Sequence, residues 1–403
     1  MTADRTPVRD WSTDFDHTDP AWARDPYTIW DDLRSGCPMA RSERWGGTWL
    51  PTTHELVSAI AYDTENYTSQ SVIVGTGVPD VPAPVGPAPP ITSDPPFHQI
   101  ARRLLLPAFA PKAVERWRPF TEEVCARLLN DIETAVAEGR PVDAALDYTQ
   151  HIPVGVIAGM LGLPEEDGPI FRVFIHSIIE DINDLEDVPE EFQIDPYLER
   201  AIERHRADPQ DNLMGYLLDV EIDGQKLAPE HVIGTIILLI VAGIDTTWSA
   251  IGSMIWHLAH HPDDARRLVD EPELRPTAIE EFLRAYGPVT MARMVAQDHE
   301  QGGRELKQGE WVLLPFPAAN RDPEVFDGAD EVRIDRKVNR HSAFGLGIHR
   351  CIGSNLARME MAVALDAWLD RFGTDFSLAD PEAVTWSTGQ VRGPRSIPMA
   401  IGG

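Results

Sequence analysis

Apolar residues recur every three or four positions along most of the chain, which is the spacing of one face of an α-helix. The pattern is strongest after Phe97 and includes one unusually long helix from about Pro229 to about Ala259. Helices are predicted at 26–36, 54–62, 97–106, 112–138, 146–161, 165–183, 190–206, 210–219, 229–259, 275–286 and 354–372. Short apolar runs predict strands at 47–53, 292–298 and 311–316. The predicted fold class is therefore mainly α with small β-sheets.

The stretches between these elements suggest the domain organisation. The first twenty residues are polar and predict a flexible N-terminal arm at 1–20. No shift in composition marks a linker beyond that point, so residues 21–403 are predicted to form a single domain. Residues 71–96 contain eight prolines and no regular period, which predicts a long functional loop.

Composition narrows the class of protein. The chain has 403 residues, of which 43% are apolar and 25% charged, and this is typical of a globular protein. Its formal charge of −30 makes nucleic acid or an anionic membrane surface a poor partner. The longest apolar run, 232–244, is too short to span a bilayer and predicts a buried helix. The N-terminal residues are polar and acidic and do not resemble a signal peptide, so we expect a cytoplasmic protein without a membrane anchor.

The cysteines are few and far apart. Cys37, Cys125 and Cys351 form neither a CxxC pair nor a zinc-ligand cluster. Cys351 lies in FGLGIHRCIG, residues 344–353, which fits F-G-x-G-x-H-x-C-x-G. A thiolate is a good ligand for iron, and the glycines allow the backbone to turn tightly and approach a flat ligand. An isolated cysteine is more often a buried structural thiol, but the full pattern favours a ligand.

A second motif, AGIDTT at 242–247, lies inside the long apolar helix. An aspartate and two threonines are costly there unless they have a role. A threonine bonded to a carbonyl one turn earlier, or an aspartate that caps a partner, would be a purely structural explanation. Alternatively, the small Ala242 and Gly243 would let a planar cofactor press against the helix, and a hydroxyl-to-carbonyl bond would open space for gas and water.

The third motif is EEFLR at 280–284, in which Glu281 and Arg284 share a helix face. By itself this spacing is common and more often marks a surface ion pair that contributes little to stability. Its position about seventy residues before the cysteine loop favours a role beyond a surface ion pair.

The fourth motif is DPPFHQIARRLLLPAF at 94–109, in which His98 and Arg102 lie four residues apart on one helix face. Two donors of positive character suit an anionic carboxylate. A solvated helix face would explain the same spacing.

In order and spacing, the four motifs resemble the cytochrome P-450 family, from about residue 20 to the end of the chain. The resemblance implies the cytochrome P-450 fold, with a long central helix over haem b (iron protoporphyrin IX). It implies Cys351 as the iron ligand. The other cofactor-binding residues that it implies are His98, Arg102, Ala242, Gly243, Arg293, Phe344, Gly345, His349 and Gly353.

The resemblance also implies roles around the cofactor. Asp245 and Thr246 match the acid–alcohol pair that relays protons, and Glu281 and Arg284 match a pair that buttresses the cysteine loop together with Arg336. The segment before Arg336 departs from the family pattern at Ala329, Val332 and Arg333. The implied substrate pocket is apolar, with a roof formed by 71–96 and 165–200, and its residues are Leu238, Val241, Ala242, Val289 and Met291.

The function implied is that of a haem-thiolate monooxygenase, which inserts one atom of O2 into a hydrophobic small molecule by hydroxylation or heteroatom dealkylation. Electrons would come from NAD(P)H through a reductase and a ferredoxin or flavodoxin-type donor. Residues 97–118 carry a local charge of +4, which favours an acidic ferredoxin. The finer resemblance is to haem domains often fused to a flavin and iron–sulfur reductase, for which a chain ending at Gly403 leaves no room.

Three alternatives remain at this stage. A peroxide-driven enzyme of the same fold tends to lack the acid–alcohol pair. A haem-based sensor would not need that pair and usually carries an output module. A helical binding protein without haem would leave the glycine–cysteine loop without a purpose.

Overall fold

The computed structural model describes residues 6–74, 86–180, 193–222 and 224–402. These residues are mainly helical with small sheets, which confirms the predicted fold class. The described helices are α1 Pro20–Arg24, α2 Pro26–Gly36, α3 His54–Tyr62, α4 Phe97–Leu105, α5 Pro111–Val114, α6 Arg118–Ala137, α7 His151–Leu161, α8 Gly168–Ile179, α9 Ile194–Ala207, α10 Leu213–Asp219, α11 Pro229–His260, α12 Pro262–Asp270, α13 Arg275–Tyr286, α14 Phe316–Ala319 and α15 Ser354–Phe372.

The strands are short and fall into several small sheets. They are β1 Met39–Ser42, β2 Thr48–Pro51, β3 Tyr67–Thr68, β4 Val142–Asp143, β5 Glu221–Ile222, β6 Gln225–Lys226, β7 Thr290–Val295, β8 His299–Gln301, β9 Arg304–Leu306, β10 Trp311–Pro315, β11 Phe376–Leu378, β12 Thr385–Trp386, β13 Pro394–Ser396 and β14 Pro398–Ile401. The largest sheet has the order β1-β2-β10-β7-β3, with β2 and β10 parallel and the other pairs antiparallel. A second sheet has the order β11-β14-β4.

Helix α11 is the centre of the fold. It begins at Pro229, whose missing N–H is no loss in a first helical turn, and it packs against α7, α8, α13 and α15. Its length and composition would also suit a membrane span, but 56% of its most apolar window is buried by the rest of the chain. That burial is typical of the core helix of a soluble protein.

Helix boundaries follow the predictions in α13 and α15, each of which is followed by a glycine, and differ where a proline intervenes. The predicted helices 275–286 and 354–372 coincide with α13 and α15. The single helix predicted at 112–138 is instead α5, a 3₁₀ turn and α6, because Pro119 lacks the N–H needed inside a continuous helix and starts a new one.

The N-terminal segment differs from the flexible arm predicted at 1–20. From residue 6 onward it is packed, and Phe15 is completely buried beside the large sheet. The guanidinium of Arg44 forms ion pairs with Asp14 and Asp16 at 2.8 and 2.7 Å. A polar sequence can thus be held by buried ion pairs, which apolar periodicity does not register.

Two parts of the predicted pocket roof lie outside the described residues. These are 75–85 of the proline-rich loop and 181–192, which holds most of the acidic stretch after α8.

Candidate active site

A large cavity lies between α11 and the loop that carries Cys351. It contains about 1360 Å³ free of protein atoms, part of it open to solvent. Its walls come from α4, α11, the segment 288–293 that enters β7, the loop 343–353 and the start of α15.

Helix α11 presents one uncovered face to this cavity. Leu238, Ala242 and Thr246 follow at intervals of four and all line it, which is the spacing of a single helix face. Ala242 is solvent-exposed in the middle of the core helix, whereas Ile244 and Asp245 beside it are buried. An exposed apolar residue in a core helix marks a surface that a ligand would cover.

The hydroxyl of Thr246 is held in place by the helix itself. Its Oγ1 donates to the carbonyl oxygen of Ala242 at 2.7 Å. This back-bond is the structural explanation considered for the motif, yet Thr246 also lines the cavity, so its oxygen remains available as an acceptor there.

Gly243 lines the cavity too, and its lack of a side chain also makes room for a neighbouring helix. A Cβ at Gly243 would lie 2.5 Å from Cδ1 of Ile157 in α7. The glycine therefore allows α7 and α11 to pack closely, and an alanine at this position would require the Ile157 side chain to shift.

The cysteine loop is shaped by two glycines in the left-handed region. Gly345 and Gly347 have φ of +71° and +67°, and a Cβ at Gly347 would lie 2.4 Å from the carbonyl oxygen of Ala61. The N–H of Cys351 donates to the carbonyl of Phe344 at 2.7 Å and closes the loop. Gly353 has an ordinary φ of −82° as the residue before α15, so its backbone conformation does not require glycine.

The Cys351 thiol is accessible through the cavity, although protein surrounds it on the other sides. Burial raises its pKa, while the N–H of Gly353 and the guanidinium of Arg102 favour the thiolate. The free thiol is therefore protonated at neutral pH, and a bound metal would be needed to hold it as thiolate.

Several cationic or ring nitrogens line one edge of the cavity without an acidic partner. Arg293 is buried and forms no ion pair within the described residues, and burial lowers its pKa to about 10. Both ring nitrogens of His98 are buried without a hydrogen-bond partner, and its ring centroid lies 4.5 Å from that of His349. Such unpaired groups are costly unless an anion joins them, so the donor set fits the carboxylates of a haem.

A buried ion network joins α13 to the segment 320–339 that precedes the cysteine loop. Arg284 donates to both carboxylate oxygens of Glu281 at 2.8 Å, and neither side chain is exposed. Arg336 Nε donates to Glu281 at 2.9 Å, and Asn339 Nδ2 donates to it at 3.0 Å. The structure therefore brings the three predicted support residues together. Arg333, a departure from the family pattern, contributes its backbone N–H to Glu281 at 2.8 Å.

Asp245 points away from the cavity and toward the C-terminal part of the chain. Nη2 of Arg395, in β13, lies 2.8 Å from Oδ1 of Asp245. Burial raises the pKa of Asp245 to about 6, although the Arg395 guanidinium lowers it. Sequence reasoning did not find Arg395, but a lone arginine in the otherwise apolar end RSIPMAI was a signal that a buried anion lies nearby.

Most of the predicted site residues line the cavity. Those that do are Arg102, Leu238, Ala242, Gly243, Thr246, Val289, Met291, Arg293, Phe344, Gly345, His349, Cys351 and Gly353. His98 and Asp245 lie behind this lining, and Val241 packs against the main hydrophobic core instead. Pro90 and Ile91, which were not singled out from the sequence, also line the cavity.

Comparisons with known proteins agree with this geometry. The family model described as "Cytochrome P450" (cytochrome P-450) matches residues 168–397. The chain is 30% identical to the polyketide biosynthesis cytochrome P-450 PksS of Bacillus subtilis, over 93% of this chain and 96% of that protein. It is 34% identical to nocardicin C N-oxygenase of Nocardia uniformis, over 87% and 89% of the two chains.

A third relative is mycinamicin IV hydroxylase/epoxidase of Micromonospora griseorubida, 33% identical over 77% of this chain and 79% of that one. The solved structure of PksS superimposes with a TM-score of 0.85 at 28% identity, covering 96% of this chain and all of that one. The cavity has the accessible Cys351 and the uncovered face of α11 in its lining, and the relatives match almost the whole length of the chain. The chain therefore belongs to the cytochrome P-450 family and is a haem-dependent monooxygenase.

Proposed function

We propose that Cys351 holds the iron of a haem b in this cavity, and that the enzyme oxygenates a hydrophobic small molecule bound between the haem and α11. The observation that carries the proposal is the accessible Cys351 thiol in the lining opposite the uncovered face of Leu238, Ala242 and Thr246. Bound there, haem supplies O2 activation and the oxidising power for oxygen insertion.

The protein's own groups would hold the cofactor at two places. The thiolate of Cys351 binds the iron, and the N–H of Gly353 stabilises its negative charge. His98, Arg293 and Arg102 bind the haem carboxylates, which satisfies nitrogens that otherwise lack acidic partners.

Proton supply would use the helix face. The Thr246 hydroxyl already donates to Ala242, so its free lone pairs accept from a water in the cavity and orient that water. Asp245 lies one residue earlier in a water-poor setting with its pKa raised to about 6, which suits a group that must both take up and release a proton near neutral pH.

The substrate is proposed to be hydrophobic. The lining toward α11 and the start of β7 is mainly aliphatic, and its charged residue, Arg293, is the one proposed to bind a haem carboxylate. The aliphatic side chains are Pro90, Ile91, Leu238, Leu239, Val289 and Met291. Relatives named as a hydroxylase/epoxidase and an N-oxygenase support oxygen insertion at carbon or at a heteroatom.

Electrons are proposed to come from NAD(P)H through a reductase and an acidic ferredoxin. Arg103, Lys112, Arg116 and Arg350 are exposed and have no ion-pair partner among the described residues. The other cations of that region are occupied, since Arg118 pairs with Glu115, Arg358 with Glu280, and Arg102 Nη2 donates to the Arg350 carbonyl at 2.5 Å. We call these four unpaired side chains the cation patch. The cation patch adjoins the cysteine loop and favours an anionic partner. We place this chemistry in the cytoplasm.

The test is turnover under ¹⁸O2 with a surrogate ferredoxin, its reductase, NADPH and a panel of hydrophobic compounds that first change the absorption spectrum on binding. We expect one labelled oxygen atom in the product of a bound compound. If bound compounds are oxidised only when hydrogen peroxide replaces the reductant, the peroxide-driven alternative is correct. If spectrally bound compounds are never oxygenated with either oxidant, the proposed function is wrong.

A further inference from the structure

Arg395 occupies an unusual position between two acids from different elements. Its Nε donates to Oε1 of Glu180 at 2.7 Å, and its Nη2 lies 2.6 Å from the same oxygen and 2.8 Å from Oδ1 of Asp245. Glu180 is the residue that ends α8, and Asp245 lies at the centre of α11. One guanidinium on β13 therefore connects the end of one helix to the acid of another.

The two contacts are not equal. The bond to Glu180 has good hydrogen-bond geometry, but the approach to Asp245 does not. Neither oxygen of Asp245 has a hydrogen-bond partner among the described residues. The guanidinium is also fixed from the side, since it lies 4.3 Å from the ring centroid of Trp248, and Nη1 donates to Ser249 Oγ at 3.3 Å. Glu180 thus holds the arginine by a hydrogen bond, whereas Asp245 interacts with it as an ion pair at 2.8 Å.

The charges around Asp245 do not balance. Within the described part of the chain, Arg395 is the cation nearest to the two carboxylates, and the other basic group facing them is His176, which lies 3.5 Å from Glu180 with a largely exposed ring. Among the described residues, the two carboxylates thus share one guanidinium, and uptake of a proton relieves their repulsion. Asp245 is the more buried acid and is the one that the proton stabilises most.

We propose that Arg395 is a positioning residue that couples Asp245 to the end of α8: by sharing its guanidinium between Asp245 and Glu180, it makes the readiness of Asp245 to take up and give a proton depend on where Glu180 lies. This rests on the proposed role of Asp245 in proton supply. When Glu180 holds Arg395, Asp245 is a proton carrier near neutral pH. When Glu180 is drawn away, Arg395 pairs with Asp245 alone and keeps it as a carboxylate.

The causes of the raised pKa of Asp245 agree with the direction of this coupling. Burial raises it to about 6, Arg395 lowers it, Glu180 raises it and His176 lowers it. Removing the charge of Glu180 should therefore lower the pKa of Asp245, and removing the charge of Arg395 should raise it. The two variants act in opposite directions, which a merely structural role for Arg395 would not produce.

The experiment is an infrared pH titration of the resting, haem-loaded protein, in which the carbonyl band of the protonated Asp245 carboxyl is identified by its absence in Asp245→Asn. We expect a midpoint near pH 6 in the natural sequence, a downward shift of roughly one to two pH units in Glu180→Gln, and an upward shift of similar size in Arg395→Gln. Arg395→Lys keeps the charge and should shift it less. Glu166→Gln, an equal charge change at an exposed site just before α8, should leave it in place.

Midpoints that do not move, or that move in the same direction in Glu180→Gln and Arg395→Gln, would overturn the proposal. If Arg395→Gln does not fold, Glu180→Gln is compared in the natural and the Arg395→Lys backgrounds. Sharing through the guanidinium predicts a smaller downward shift in the Arg395→Lys background, and an equal shift, which direct repulsion between the two carboxylates would give, overturns the proposal. The band reports the carboxyl without turnover. If the midpoints shift as expected but no bound compound is oxygenated, the proposed function is wrong while the coupling stands.

Discussion

The two walls of the cavity are built on opposite principles. In the thiol wall, formed by the loop 344–353 and the residues behind it, the Glu281 carboxylate accepts hydrogen bonds from Arg284, Arg336, Asn339 and the N–H of Arg333. Behind the helix wall, formed by α11 at 242–247, the buried carboxylate of Asp245 lies 2.8 Å from Arg395 but has no well-aligned hydrogen-bond donor among the described residues. A satisfied network is rigid, whereas a partly satisfied one can change its state.

This difference matches what the two walls are proposed to do. A thiolate ligand must keep one position relative to a cofactor, so its support is fixed by redundant hydrogen bonds. A proton carrier must exist in two protonation states of similar free energy, so its carboxylate cannot be saturated with donors. Substitutions in each wall test this difference.

The largest effect is expected at the thiol wall. Glu281→Gln leaves the buried guanidinium of Arg284 without a counter-charge, and breaking a buried ion pair typically costs about 3–5 kcal/mol. We expect a free energy of unfolding lower by roughly that amount, measured by urea unfolding, and loss of the thiolate spectrum. The matched control is Glu280→Gln on the same helix, which pairs with Arg358 in a half-buried site and should cost less. Equal costs for both variants would contradict a special rigidity of the thiol wall.

At the helix wall, Thr246→Ala removes the hydroxyl in the cavity without touching the buried ion network. We expect product formed per O2 consumed to fall roughly 10- to 100-fold, with the balance appearing as hydrogen peroxide or water. Oxygen uptake and product are measured in the same reaction. Thr246→Ser keeps the hydroxyl and should retain most of the coupling, and unchanged coupling in Thr246→Ala would remove the threonine from proton supply.

The pH dependence of stability should reveal the unsatisfied acid. The pKa of Asp245 is raised from its ordinary value of 3.8 to about 6, so the folded protein binds a proton in that window that the unfolded chain does not. The free energy of unfolding, relative to that of Asp245→Asn, should therefore fall as pH rises from about 4 to about 6 and be constant above that. A difference that rises with pH would mean that Asp245 is instead stabilised as an anion.

The smallest effect concerns the outer surface behind the thiol wall. Lys112→Glu reverses one charge of the cation patch and should slow reduction by an acidic ferredoxin by roughly up to tenfold at low salt, with the difference shrinking as salt rises. Stopped-flow measurements of haem reduction give the rate and its dependence on salt. Lys226→Glu, an equal change on β6, is the control. Reduction rates of the natural sequence that do not fall with salt would contradict charge steering.

Sequence reasoning succeeded where chemistry depends on local spacing. The bounds of α13 and α15 follow from their periodicity and caps, and the motif at 344–353 placed an accessible thiol in a glycine-shaped loop. Arg336 meets Glu281 across 55 positions because the resemblance to a known family supplied that pairing, not because spacing could.

The remaining features depend on which side chains the tertiary fold brings together. Nothing near Asp245 in sequence indicates Arg395, 150 positions later, as its partner. The close approach of Gly243 to Ile157 involves another helix, and the partly buried Val241 packs against the main core instead of lining the cavity. Predicting these contacts requires the packing of the helices, and the periodicity of one helix does not reveal that packing.

The measurement that tests the central claim most directly is the absorption spectrum of the reduced, carbon monoxide-bound protein beside that of Cys351→His. The account predicts a strongly red-shifted Soret band for the natural sequence, because the Cys351 thiolate donates electron density to the iron, and an ordinary haem–carbon monoxide band for the variant. An ordinary band in the natural sequence, or a red-shifted band that survives the substitution, would contradict ligation by Cys351.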